Sequence, residues 1–162
     1  LQIPKSIQKV GVFVNESTQQ ILSKSKTYEL DYVQLHGNET TSDCESVFQN
    51  GIKVIKAFRI DESFDFNQLN LFKPFCHYFL FDTMSSNYGG SGKKFDWQLL
   101  NKYDNQTPLF LSGGIAPSDA TSIKQINHLN IHAIDINSKF EIQAGLKNIE
   151  LLADFIQTIR KP

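Results

Sequence analysis

The sequence is poor in cysteine, methionine and tryptophan, and neither sign of charge is in excess. The two cysteines, Cys44 and Cys76, show no CxxC spacing, which argues against a disulfide framework or a zinc site. A reducing cytoplasm is the default expectation. A formal net charge of -1 over 162 residues gives no electrostatic footprint for nucleic acid or a membrane surface, and neither is expected as a partner. No apolar run approaches the roughly 20 residues of a membrane span. The opening LQIPKSIQKV lacks the charged-then-apolar layout of a signal peptide. It also lacks an initiator Met, so an upstream segment is expected. What is present is 40% hydrophobic residues, enough for about one domain with a substantial core.

Short β-branched or aromatic runs mark six strands: KVGVFV (9–14), YVQLHG (32–37), KVIKAFRI (53–60), YFLFDT (78–83), PLFLSG (108–113) and AIDINS (133–138). Helical patterns lie between most of them. Residues 16–27 follow Asn15, an expected N-cap, and residues 39–50 end at Gly51, an expected C-terminal stop. Pro117 suits a first helical position. The last segment, 148–160, sets Ile149, Leu152, Phe155, Ile156 and Ile159 on one helical face. Six β-then-α units in a row imply a parallel sheet covered by helices.

A parallel strand buried on both faces should be apolar on both, so its polar residues carry information. Period 2 puts Gln34 and His36 on one face, with Val33 and Leu35 on the other. Asp82 shares a face with Leu80. Asp135 alternates with Ile134 and Ile136, and Ser112 with Leu111. Each polar group stands at or near the C-terminal end of its strand, the end that carries the active site in a barrel of parallel strands. A shared site is expected there. A closed (β/α)8 barrel needs about 200 residues and eight units. Six units therefore imply either an open doubly wound sheet or a barrel with about two units missing from the front.

The stretch SSNYGGSGKKFDW (85–97) suggests nucleotide binding but fails the Walker pattern, because Asn87 and Lys94 occupy the places that a glycine and a Ser or Thr would need. With VGVFVN, VQLHGNE, LSGGI and AIDINSKFE…GLKN it forms an ordered set, in which D-T-x5-GGSGKxFDW from Asp82 to Trp97 is the most specific block. This set resembles the phosphoribosylanthranilate isomerase family over the whole chain. The resemblance implies a (β/α)8 TIM barrel of which residues 1–162 form one partial domain, about the last six βα units, from the third strand to the last helix. It also implies an Amadori rearrangement of N-(5-phosphoribosyl)anthranilate to 1-(2-carboxyphenylamino)-1-deoxyribulose 5-phosphate, with no metal or organic cofactor. The expected partner is this small phosphosugar-anthranilate substrate, and the expected assembly a monomer or homodimer.

By the same resemblance, Asp82 is the general acid that opens the ribose ring, a role helped by burial at a barrel rim. Gln34 and His36 are expected to shape the anthranilate or ribose pocket, Asp135 to contact a substrate hydroxyl and Asn137 to bind substrate. Gly113, Gly114 and Ser138 are expected to bind phosphate, with Lys93 at most an accessory. The glycine loop is expected to be mobile beside the substrate, with Phe95 and Trp97 holding its far end. The family's general-base cysteine, in a C-G-[LIM] motif, and its S-x-R arginine have no counterpart here, and Cys44 and Cys76 read as structural. Lys139 replaces a family glycine and Ala144 a frequent proline. Lys56 and Arg59 are ambiguous. His77, His128 and His132 have no constellation around them. Two other possibilities stay open: a relative of indole-glycerol-phosphate synthase, or a degenerate phosphosugar-binding barrel without catalysis.

Overall fold

The computed structural model describes residues 3–82 and 97–161. Six parallel strands form one sheet: β1 (Val10–Phe13), β2 (Tyr32–Leu35), β3 (Lys53–Arg59), β4 (Tyr78–Asp82), β5 (Leu109–Ser112) and β6 (Ile131–Ile134). Their spatial order is their chain order. A short antiparallel pair, β7 (Glu141–Gln143) and β8 (Leu146–Lys147), follows.

The two faces of the sheet are unlike. On one face Val33, Leu35, Val54, Phe58, Phe79, Phe81, Leu109 and Leu111 pack against the helices in one continuous core. That core takes in Ile21 of helix α1 (Thr18–Tyr28), Cys44 and Val47 of α2 (Thr41–Gln49), Ile123 of α3 (Ala120–Lys124) and Phe155 of α4 (Ile149–Arg160). The other face carries a separate cluster of Tyr32, Ile55, Ala57 and Leu80, flanked by Tyr78 and Phe110, with strand residues alone. A doubly wound sheet would bury both faces under helices. Helices on one face and a strand-only cluster on the other, in sequential strand order, is barrel architecture.

Local sequence explains most element ends and corrects three expectations. Helix α2 opens with a capping box: the Asp43 amide donates to Thr40 Oγ1 at 3.3 Å, and the Thr40 amide donates to Asp43 Oδ2 at 2.7 Å. It stops before Gly51, whose φ is 79°. Helix α1 is capped by Ser17, not by Asn15. The Asn15 side chain instead accepts the Asn38 amide at 2.7 Å, so a tie to the next βα loop has displaced the local cap. Along α4, Phe155 is buried, but Ile149 and Ile156 are exposed, leaving a narrower apolar stripe than the spacing suggested. Between β3 and β4 the connection contains two 3-10 turns, Phe66–Leu71 and Lys73–Phe75, in place of an α-helix.

The last strand also begins earlier than expected. The register between β5 and β6 shifts by one, pairing Leu109 with Ile131 but Phe110 with Ala133. The extra residue is His132, whose ring stacks on Tyr78 at 4.3 Å between centroids, over the strand-only face. Such a bulge resets the alternation. Asp135 then continues the ladder, its amide donating to Leu111 O at 2.8 Å.

Candidate active site

Period 2 along β3 and β4 puts Arg59 on the face of Ile55 and Ala57, and Asp82 on the face of Leu80. Arg59 and Asp82 are register partners at the C-terminal ends of their strands. On β2 the same face carries Gln34, and His36 follows at its end. The Gln34 amide nitrogen lies 2.6 Å from His36 Nδ1. With the amide assigned as donor, Nδ1 is the acceptor and the ring proton belongs to Nε2. That nitrogen faces Asp82 Oδ2 across 3.6 Å, with the carboxylate 16% exposed. A chain of three polar groups, Gln34 to His36 to Asp82, thus crosses from β2 to β4 over the end of β3.

A buried ion pair supports this rim from the helix side. Lys56 alternates away from Ala57 and Arg59, and its ammonium donates to Glu39 Oε2 at 3.0 Å, with both side chains 3% exposed. It donates further to the carbonyls of Leu35, Gly37 and Ala57. Glu39 in turn accepts the Asn15 amide at 2.7 Å and the Gly37 amide at 2.9 Å. Burial works to raise the Glu39 carboxyl, but the Asn15 amide and Lys56 outweigh it and hold it below the ordinary carboxylate range. The loop ends after β1 and β2 are thereby fastened to β3 at one buried point. A lysine inside an apolar strand signalled a need for such a partner; that Glu39 supplies it was not legible without the fold.

On the other side of Asp82, Ser112 at the end of β5 donates to Asp135 Oδ2 at 2.9 Å. Next to Ser112, Gly113 and Gly114 have φ of 104° and 65°. Two successive residues in this region bar ordinary side chains and turn the backbone sharply at the sheet's C-terminal edge. After β6, Lys147 donates to Asn137 Oδ1 and, at 2.6 Å, to Glu141 Oε1, so β8 fixes the loop that carries Asn137 and Ser138. Lys139 is exposed within a single 3-10 turn, Ser138–Phe140.

A cavity of about 440 Å³ opens at this edge, and His36, Lys56, Arg59, Gln68, Phe72 and Asp82 are among its lining residues. Gln34 stands behind it. Gly113, Gly114, Asp135, Asn137 and Ser138 do not line it but occupy the adjoining strand ends. Cys44 and Cys76 lie elsewhere: both are buried, their thiols share a hydrogen bond, and Cys76 precedes β4 at the opposite end of the strands. His77 accepts the Val54 amide at its Nδ1, 3.3 Å away, also at that end. His128 contributes its carbonyl to Asn105. Of the loop after β4, Trp97 begins a 3-10 turn and packs on the outer core, while Lys93 and Phe95 lie outside the described residues.

A family model described as N-(5'phosphoribosyl)anthranilate (PRA) isomerase matches residues 2–158. The chain belongs to this family. An N-(5'-phosphoribosyl)anthranilate isomerase of Parabacteroides distasonis is 48% identical over 157 residues, 97% of this chain and 71% of that protein. The crystal structure of phosphoribosyl anthranilate isomerase from Thermotoga maritima superposes with a TM-score of 0.83 at 34% identity, covering 98% of this chain and 75% of that one. Another phosphoribosyl anthranilate isomerase, solved in complex with reduced 1-(o-carboxyphenylamino)-1-deoxyribulose 5-phosphate, gives a TM-score of 0.81 at 29% identity, covering 98% and 74%. Membership of the isomerase family settles the fold between its two sequence-level alternatives in favour of the barrel. It also separates the chain from the indole-glycerol-phosphate synthase alternative.

Proposed function

We propose that this site performs the Amadori rearrangement of N-(5-phosphoribosyl)anthranilate, with Asp82 as general acid. The single observation that carries the assignment is the position of Asp82: a largely buried carboxylate at the C-terminal rim, facing His36 across 3.6 Å and opening onto the cavity. Asp82 gives its proton to the ribose ring oxygen as the C1′–O bond breaks, leaving a Schiff base. A base then takes the C2′ proton, and the electron pair moves to form an enolamine that tautomerises to the ketone. Asp135 and Asn137 serve the sugar, and Gly113, Gly114 and Ser138 the phosphate, because backbone amides at the last two strand ends suit an anion. His36, held by Gln34, borders the reacting centre. Among the described residues no helix is long and apolar enough to cross a membrane, which is compatible with a cytoplasmic enzyme.

The six units correspond in this proposal to units three to eight of the barrel. No cysteine stands at the rim, so the 162 residues by themselves are inactive for lack of the base, and a clean turnover by the isolated chain would refute that. The acid is tested in the barrel completed with the first units of the Parabacteroides relative. There Asp82→Asn is expected to collapse kcat with little change in affinity for a product analogue. A near-normal rate would remove Asp82 from the mechanism.

A further inference from the structure

We propose that Gln34 is a positioning residue, one that fixes the tautomer of His36 so that the proton of Asp82 is kept for the ribose ring oxygen. This role rests on the assignment of Asp82 as the acid. The sequence places Gln34 among the residues that shape the substrate pocket. The structure buries it at 9% exposure, outside the lining of the cavity that His36 and Asp82 share. Its amide nitrogen ends 2.6 Å from His36 Nδ1, on the side of the ring turned away from Asp82. The backbone that carries the ring is held on both sides. The His36 amide donates to Phe13 O at 2.8 Å, and Lys56 donates to the carbonyls of Leu35 and Gly37. With the ring so placed, the position of its proton is the variable that Gln34 controls.

A neutral imidazole has one donor and one acceptor nitrogen, and what one nitrogen meets decides the state of the other. Both neighbours of His36 select the same form. The Gln34 amide offers a donor to Nδ1, and Asp82 offers an oxygen to Nε2 across 3.6 Å. The alternative form would have a chemical cost. An imidazole nitrogen is a stronger base than a carboxylate. A bare Nε2 facing the acid would therefore take the proton that ring opening needs, leaving an ion pair where an acid should stand. With the proton on Nε2, His36 has no lone pair to offer on that side. Asp82 then passes its proton to the ribose oxygen as the C1′–O bond breaks. The carboxylate that remains meets an N–H already aimed at it, so charge developing on Asp82 is stabilised without a second proton moving.

The test is nitrogen NMR of histidine-labelled protein together with steady-state kinetics, in the barrel completed as above. The His36 signals, identified by their loss in His36→Ala, should show a protonated Nε2 and a bare Nδ1 in the neutral ring. Gln34→Glu sets an acceptor at the same place and should put a proton on Nδ1, with kcat lowered on the order of 10²-fold and KM little changed. Gln34→Leu removes the donor without adding an acceptor. It should give a mixture of both forms and an intermediate kcat, and it serves as the test should the glutamate variant not fold. In a His36→Ala background, Gln34→Glu should cost no further rate, because it acts through the ring. Losses that add in the double variant would make Gln34 a substrate contact and overturn the proposal. So would a bare Nε2 in the unaltered protein, or a lowered urea midpoint with the tautomer unmoved. Asp82→Asn, run alongside, separates the two readings. If it keeps a near-normal rate, the acid assignment fails and the role of Gln34 falls with it. If it collapses kcat while Gln34→Glu does not, the role of Gln34 alone is refuted.

Discussion

His36 Nε2 faces Asp82 Oδ2 across 3.6 Å, while Gln34 occupies the opposite ring nitrogen at 2.6 Å. The separation exceeds a hydrogen bond, so His36 is poised beside the acid without sharing its proton. In the completed barrel, His36→Ala is expected to lower kcat on the order of 10²-fold, the scale of a group that orients proton transfer. The steady-state loss of N-(5-phosphoribosyl)anthranilate fluorescence measures it. A loss confined to KM would make His36 a pocket wall.

Removing one partner of the Lys56–Glu39 pair leaves a buried charge alone. Lys56→Met should cost about 3–5 kcal/mol of stability, read from urea unfolding at constant slope. The double variant Lys56→Met with Glu39→Leu should recover much of that loss, because the stranded carboxylate is gone. Equal instability of the single and double variants would mean that the carbonyl contacts of Lys56, and not its charge pairing, hold the two loops to β3.

Two groups, the buried Glu39 and the exposed His77, contribute to the acid limit of the fold with the same sign. Burial, with the nearby Lys53 charge, holds His77 below its ordinary value of 6.5. Glu39 is held below 4.5, its burial outweighed by hydrogen bonds from the Asn15 amide and Lys56. In each case the unfolded chain binds the proton more readily, so stability is complete above the unfolded value and is lost as pH falls through the folded one. The urea midpoint should be flat above about pH 7 and fall in two stages, first through His77 and then through Glu39. Glu39→Gln should shrink the second stage, to which Asp43 and Asp104, also held low, contribute, and a midpoint that rises on acidification would contradict both assignments.

The thiols are expected to be silent. Cys76 is pushed above the ordinary thiol range by its hydrogen bond with Cys44 and by burial; the same bond lowers Cys44, but that side chain is fully buried, out of reach of a reagent. Ellman's reagent at pH 8 should label neither cysteine in native protein, and both should appear with the global unfolding midpoint in urea. Rapid labelling of either thiol under native conditions would mean that this corner of the core opens locally.

The sequence made the inward polar positions legible because period 2 and strand-end placement are local properties. Gln34, His36 and Asp82 were found that way, and the structure brings them into one chain of contacts. Asn15 was misread as a helix cap because its true partner, Asn38, lies on another loop, and no local pattern marks a bond of that kind. The early start of β6 was hidden for a related reason: the bulge at His132 shifts the alternation, and a strict two-residue period cannot register it. Lys56 sat in plain view on KVIKAFRI, yet its pairing with Glu39 lies on another element, which the strand's own pattern does not reach.

The sheet's strands stand in space in the order in which the chain makes them. Register partners lie between 21 residues apart, as Tyr32 and Lys53 do, and 30 apart, as Phe79 and Leu109 do. Within the described sheet, every new strand therefore finds a docking edge on the strand synthesised just before it. Such short-range closure lowers the entropic cost of each step. It suits growth by accretion during translation, with β1 and β2 able to dock before β5 and β6 have left the ribosome.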